Sequence, residues 1–381
     1  MKRFFCTFLA ILVIFSTFVS CDSLDYLIED ETKVEESTNK NAETETKTET
    51  ETETETETVT EIATETVTDI ETDIETDIET ETVVETEIEN VTTQQSIGGN
   101  LPGKTVAKRS SYLSTTGSNV SYISDAIGAR NVILIDLDTY SSIAEKSADT
   151  KIYPASMTKV MSLLVACENL QSLGKTFEIT QDVVDYSIQM GGSGVGLKVG
   201  DVLSAQDLLY LTAYQSDTIA IITLANHIAG SEADFVKMMN NKVAQLGLKN
   251  TNFANSTGLH DPNNYTTCRE MAAILAYALE NPLCRELLTS YKGYRAGDKY
   301  TVYSSWYSGR FDDNPRLNTV TVSGGKTGYI DESGFCLASY AVGRSNGKQY
   351  IQVIVGQPKG SGYREDISVR DIKYVYNNFA K

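Results

Sequence analysis

Residues 43–89 read ETETKTETETETETETVTEIATETVTDIETDIETDIETETVVETEIE, and this run limits what the chain can fold into more than any other feature. An alternating Thr/Glu strand would line one face with like charges and leave no apolar face to bury, so this segment is expected to be disordered. Residues 22–100 hold 26 acidic and 3 basic residues. The formal net charge of the whole chain is −20, so the acidity belongs to the tail and the remainder is nearly neutral. A nucleic-acid partner, which would need a basic face, is not indicated. Like charges extend such a tail, and about 75 residues could span at most ~250 Å.

Ahead of the tail stands MKRFFCTFLAILVIFSTFVSC. Two cations precede a mostly apolar run, then small residues and a cysteine, as in an export signal. The expected organisation is therefore a signal at 1–21, an acidic linker at 22–116 and one globular domain at 117–381. That places the domain outside the cytoplasm. No metal or organic cofactor is indicated. Cys167, Cys268, Cys284 and Cys336 form no CxxC pair and no zinc spacing with histidine. They read as buried free thiols, with a disulfide as the alternative.

In the globular part, NVILIDLDTYSSIAEK reads as two strands around a turn. Helical patterns then dominate from AQDLLYLTAYQ to TCREMAAILAYALEN, with a last one in REDISVRDIKYVYNNFA. Strand-like runs cluster late, in TVTVSGG, GFCLASYAVG and QYIQVIVGQ. Strands at both ends with helices between predict an α/β (α+β) fold: one sheet made by both chain ends, with a helical lobe inserted. The glycine-rich GGSGVGLKVG lacks Gly-Lys-Ser/Thr before a helix, so it reads as a shaped surface loop and not as a phosphate loop.

Ser-x-x-Lys occurs five times, at Ser37/Lys40, Ser156/Lys159, Ser172/Lys175, Ser323/Lys326 and Ser345/Lys348, but only Ser156/Lys159 opens an apolar helix, YPASMTKVMSLLVA. Pro154 suits a helix start. Ser156 and Lys159 then share a face one turn apart. The helix N-terminus favours developing negative charge on the serine, whose backbone N–H could serve an oxyanion. Lys159 can take the serine's proton only if burial or a second cation lowers its pKa. Lys326, in SGGKTGYI, could be that cation. Thr327 offers a hydroxyl to a substrate carboxylate, and Gly328 lets an extended peptide lie along the strand. His227 and His260, the two histidines, are expected to be structural.

Taken in order, YPASMTKVMS, GGSGVGLKVGD with DLLY, NSTGLHDPNNYTT and GGKTGYIDESGFCLASYAV resemble the blocks of low-molecular-mass D-alanyl-D-alanine carboxypeptidases, penicillin-binding serine peptidases of family S11. The resemblance covers about residues 125–381 and does not reach the β-rich C-terminal domain that many relatives carry. It implies a β-lactamase/transpeptidase-like fold, an antiparallel sheet beside a helical lobe with the active site between them. It also implies Ser156 as the acylated nucleophile, Lys159 as its base, Ser216 as a proton relay, and Lys326 and Thr327 as holders of the substrate carboxylate. The N–H groups of Ser156 and Tyr329 would form the oxyanion hole. The substrate would be peptidoglycan stem peptides ending in D-Ala-D-Ala, with β-lactams as inhibitors. FVSC resembles a bacterial lipobox in which Cys21 would carry a membrane-anchoring lipid, although Phe18 departs from its pattern.

One block departs more sharply. The family's Ser-x-Asn is here Ser216-Asp217-Thr218, and a threonine cannot use both a carbonyl and an amide as asparagine does. Two alternatives to a working carboxypeptidase stay open. One is a slow or non-catalytic module that binds muropeptide or penicillin. The other is a β-lactamase, for which no acidic residue is clearly placed to drive deacylation.

Overall fold

The computed structural model describes residues 111–290, 292–305, 315–357 and 365–381. The expected signal, the Cys21 lipidation and most of the acidic linker lie outside these residues.

The chain folds around a six-stranded sheet. Its N-terminal strands are β1 (Thr115–Tyr122), β2 (Asn131–Asp136) and β3 (Ser141–Lys146), and its C-terminal strands are β8 (Val320–Ile330), β9 (Gly334–Gly343) and β10 (Gln349–Gln357). The order is β1-β3-β2-β10-β9-β8, so β10 joins the two chain ends by pairing with β2. Neighbours are antiparallel except β1 and β3, which run parallel at the far edge. Two two-stranded sheets complete the strands among the described residues: β4 (Thr176–Glu178) with β5 (Val202–Ser204), and β6 (Tyr294–Ala296) with β7 (Tyr300–Val302). The packed body reaches back before Gly117. Tyr112 is buried, and its hydroxyl donates to Glu280 at 2.6 Å.

Side chains alternate across a strand. On β2, Ile133 and Ile135 enter the core under the helical lobe, while Val132 and Leu134 enter a second core on the opposite face. Burial of both faces explains why this strand reads as a continuous apolar run. The second core is closed by α8 (Glu365–Phe379), whose Val369, Ile372, Val375 and Tyr376 form a helical stripe.

The lobe holds α1 (Thr158–Asn169), α2 (Gln181–Gln189), α3 (Ala205–Gln215), α4 (Thr218–Ala229), α5 (Glu232–Gln245), α6 (Cys268–Ala278) and α7 (Pro282–Thr289). Residues 158–166 of α1 are all buried, the mark of a helix enclosed on every side. Cap signals set several starts. Ser204 and Asp207 form a reciprocal capping box on α3, and Asn281 caps α7 with Pro282 following.

Candidate active site

Ser156 lies in a short 3-10 turn, Ala155–Met157, immediately before α1. Ala155 takes φ +47°, a left-handed conformation that costs a non-glycine residue energy and must be imposed from outside. Two glycines impose it. A Cβ on Gly258 would lie 1.9 Å from the Ala155 carbonyl oxygen, and one on Gly328 would lie 3.0 Å from the Ser156 nitrogen. Strand β8 and the loop before α6 thus grip the turn from two sides, and the grip requires both side chains to be absent.

Lys159 projects from the first turn of α1 and is 1 % exposed. Its Nζ donates to the Thr257 carbonyl at 2.6 Å and lies 3.4 Å from Ser156 Oγ. Burial lowers its pKa from 10.5 to about 8, because water no longer solvates the ammonium. Asp217 and Glu232 oppose that shift. The sequence had offered Lys326 as a cation that would help to neutralise Lys159. Burial, the other cause the sequence offered, is the largest contribution to the lowering.

Lys326 is also 1 % exposed. Its Nζ donates to Ser216 Oγ at 2.5 Å and to the Thr327 carbonyl at 3.2 Å. Ser216 ends α3 in a left-handed conformation, φ +57°, which turns the chain sharply into α4. Next to it, Thr327 Oγ1 lies 3.2 Å from Ser305 Oγ. The Lys-Thr-Gly triplet is interior to β8, which continues to Ile330 at the edge of the described sheet. Tyr329, also on β8, donates its phenol hydroxyl to Asp331 at 2.7 Å.

The glycine-rich loop is shaped around the Ser216 turn. Asp217 is buried, caps α4 through Ala220 N at 2.9 Å and accepts from Val195 N at 2.8 Å. Burial raises its pKa, and the donated N–H groups pull the other way. A Cβ on Gly194 would strike Asp217 Oδ2 at 2.1 Å. Thr218 donates its N–H to the Ser193 carbonyl at 2.8 Å, and its hydroxyl accepts from Ser193 N at 3.2 Å. Thr218 Oγ1 therefore binds the loop and keeps a single proton to donate.

Several participants escaped the sequence reading. The Thr257 carbonyl that receives Lys159 is set by Asn255, whose Oδ1 accepts from Thr257 N at 3.2 Å, Thr257 Oγ1 at 3.1 Å and Gly258 N at 2.7 Å. Asn followed by Gly three residues later was a visible turn signal. Glu232 accepts from Ser256 N at 2.9 Å and Ser256 Oγ at 2.6 Å, supporting the same loop. The histidines engage other groups. His227 Nε2 lies 2.8 Å from Lys175 Nζ, and His260 packs on Tyr153 with Nδ1 3.6 Å from Glu332.

The sequence profile of the peptidase S11 family, D-alanyl-D-alanine carboxypeptidase, matches residues 118–359. The D-alanyl-D-alanine carboxypeptidase DacF of Bacillus subtilis is 31% identical over 60% of this chain and 57% of its own length. The D-alanyl-D-alanine carboxypeptidase DacA of Haemophilus influenzae is 32% identical over 66% of this chain and 63% of its own. The chain thus spans roughly three fifths of these relatives. Among solved structures, penicillin binding protein 5 of Haemophilus influenzae superposes with a TM-score of 0.57 at 27% identity, covering 67% of this chain and 72% of that one. The Streptomyces K15 DD-transpeptidase gives 0.56 at 24% identity over 67% of this chain and 98% of that one, a likeness of fold.

Proposed function

The chain belongs to the peptidase S11 family of D-alanyl-D-alanine carboxypeptidases, and from that premise we propose that it removes the terminal D-alanine from peptidoglycan stem peptides through an acyl-enzyme on Ser156. The observation that carries this is the buried Lys159, its Nζ 3.4 Å from Ser156 Oγ and lowered to about 8.

Neutral Lys159 takes the proton of Ser156 Oγ as that oxygen attacks the carbonyl between the last two D-alanines. The N–H groups of Ser156 and Tyr329 receive the oxyanion. The close approach of Gly328 to Ser156 N brings β8 to the required side. Ser216, held by Lys326, passes a proton to the leaving nitrogen. Lys326 and Thr327 bind the substrate's terminal carboxylate, a charge-assisted contact. The peptide lies along edge strand β8 as an added strand, and Gly328 leaves room for the Ser156 turn against that strand. D-Alanine departs, and water releases the acyl-enzyme. β-Lactams acylate the same serine.

Thr218 motivates a second reading. Its hydroxyl is engaged by Ser193 N, and a module that acylates but deacylates slowly would follow if an asparagine amide is needed at this position. The domain is assigned to residues 117–381 with its packing extending to Tyr112, borne on the 22–116 linker and anchored outside the cytoplasm by a lipid on Cys21. Export fits the family's cell-wall substrate.

Mass spectrometry of the purified protein with a fluorescent penicillin and with a D-Ala-D-Ala peptide tests the proposal. D-Alanine release and a penicillin adduct, both lost in Ser156→Ala, support it. An adduct without release favours the slow module, rapid penicillin hydrolysis indicates a β-lactamase, and unchanged activity in the variant refutes the mechanism. Metabolic labelling with a fatty acid, compared between the parent and Cys21→Ala, tests the anchor.

A further inference from the structure

After β7 the chain runs along the end of α3. Gln215 Nε2 donates to the Tyr303 carbonyl at 2.7 Å, and Ser305 N donates to the Tyr214 carbonyl at 3.0 Å. These bonds fix residues 303–305 against the last turn of the helix whose next residue, Ser216, receives Lys326. Ser304 is buried at 1 % exposure, while its neighbour Ser305 is half-buried and brings its hydroxyl to 3.2 Å from Thr327 Oγ1. Consecutive residues of β8 thus carry two polar pairs, Lys326 Nζ with Ser216 Oγ and Thr327 Oγ1 with Ser305 Oγ.

We propose that Ser305 is a specificity-determining residue whose hydroxyl joins Thr327 in binding the carboxylate at the substrate's C-terminus. This rests on the carboxypeptidase reading above and extends it to a residue outside the three signature triplets. In the free protein one of the two hydroxyls donates to the other. A carboxylate brings two acceptor oxygens and no proton, so both hydroxyls can turn outward and donate to it. A masked, uncharged C-terminus accepts more weakly and lacks the charge that Lys326 answers. The Tyr214 carbonyl, which accepts from Ser305 N, and the Gln215 side-chain amide on Tyr303 hold this segment in place beforehand, so little ordering is required on binding.

The test compares second-order acylation rates of the parent, Ser305→Ala and Ser305→Thr with benzylpenicillin and with its methyl ester. Circular dichroism confirms that each variant is folded. Losing one charge-assisted hydrogen bond should slow Ser305→Ala roughly tenfold with the free acid. The ester rate should stay within about twofold, since it lacks the charge that strengthens the bond. Ser305→Thr, which keeps the hydroxyl, should restore the acid preference. An equal loss on acid and ester, or no loss on either, overturns the role of Ser305 while leaving the carboxypeptidase reading intact. A parent that is acylated by neither compound overturns that reading and this inference with it.

Discussion

The burial of Lys159 makes the pH dependence of acylation predictable. An ammonium that loses its proton at about 8 in place of 10.5 carries a net penalty of roughly 3 kcal/mol, burial outweighing the attraction of Asp217 and Glu232. At pH 7 about one molecule in ten then carries a neutral Lys159, against roughly one in three thousand for an ordinary lysine. The rate of Ser156 acylation by a fluorescent penicillin, followed by stopped flow from pH 6 to 10, should climb about tenfold per unit on the acid side. It should bend near 8 and flatten above. Glu232→Gln keeps an acceptor for Ser256 but removes a charge that holds the proton on Lys159, so its bend should move to lower pH. Lys159→Arg, which cannot deprotonate, should lose at least ~10²-fold. The same shift governs stability. Between pH 8 and 10.5 the unfolded chain holds a proton on Lys159 that the folded chain has released. Stability therefore rises with pH across that window, and below 8 the full penalty of a buried ammonium remains. A rate that is flat from pH 6 to 9, or one that bends near 10, would refute a neutral lysine base.

Other outcomes follow from particular contacts. Gly258→Ala should cost at least ~10²-fold in acylation, because its Cβ would displace Ala155 and with it the serine, and about 1–3 kcal/mol in stability by thermal melting. Glu270→Ala should destabilise by about 3 kcal/mol in urea titration, since its buried carboxylate accepts from Lys249 N at 3.0 Å, Asn250 N at 3.0 Å and Thr251 Oγ1 at 2.5 Å. Burial raises the thiols of Cys268 and Cys284 well above their usual range and pushes Cys336 up to about 11. All three should resist alkylation at pH 8 until the protein is denatured, as peptide mapping would show.

Legibility in the sequence tracked how local the cause was. AQDLLYLTAYQ became α3 because its capping residues and apolar positions are adjacent in the chain. The helix after Ser156 was legible from its apolar run. The 3-10 turn that precedes it was not, because glycines more than 100 residues away hold Ala155 in its strained conformation. The Thr257 carbonyl was hidden for another reason: a backbone acceptor leaves no trace in residue type. Strand β1, TTGSNVSY, escaped because its largely exposed residues show no apolar alternation. The α7 start did carry its Asn-Pro signal, which went unread within a short helix. The Lys-Thr-Gly strand could be placed by family likeness, but Ser305 enters the site through tertiary approach alone.

The parallel edge strand has a mechanical consequence. β1 and β8 close opposite sides of the sheet, five strand spacings or roughly 24 Å apart. A pull arriving at residue 111 would first load Tyr112, bonded to Glu280, and Ser114, bonded to Arg269, and only then β1, the strand farthest across the sheet from β8. Force entering there is taken up at the opposite side of the sheet from Lys326 and Thr327.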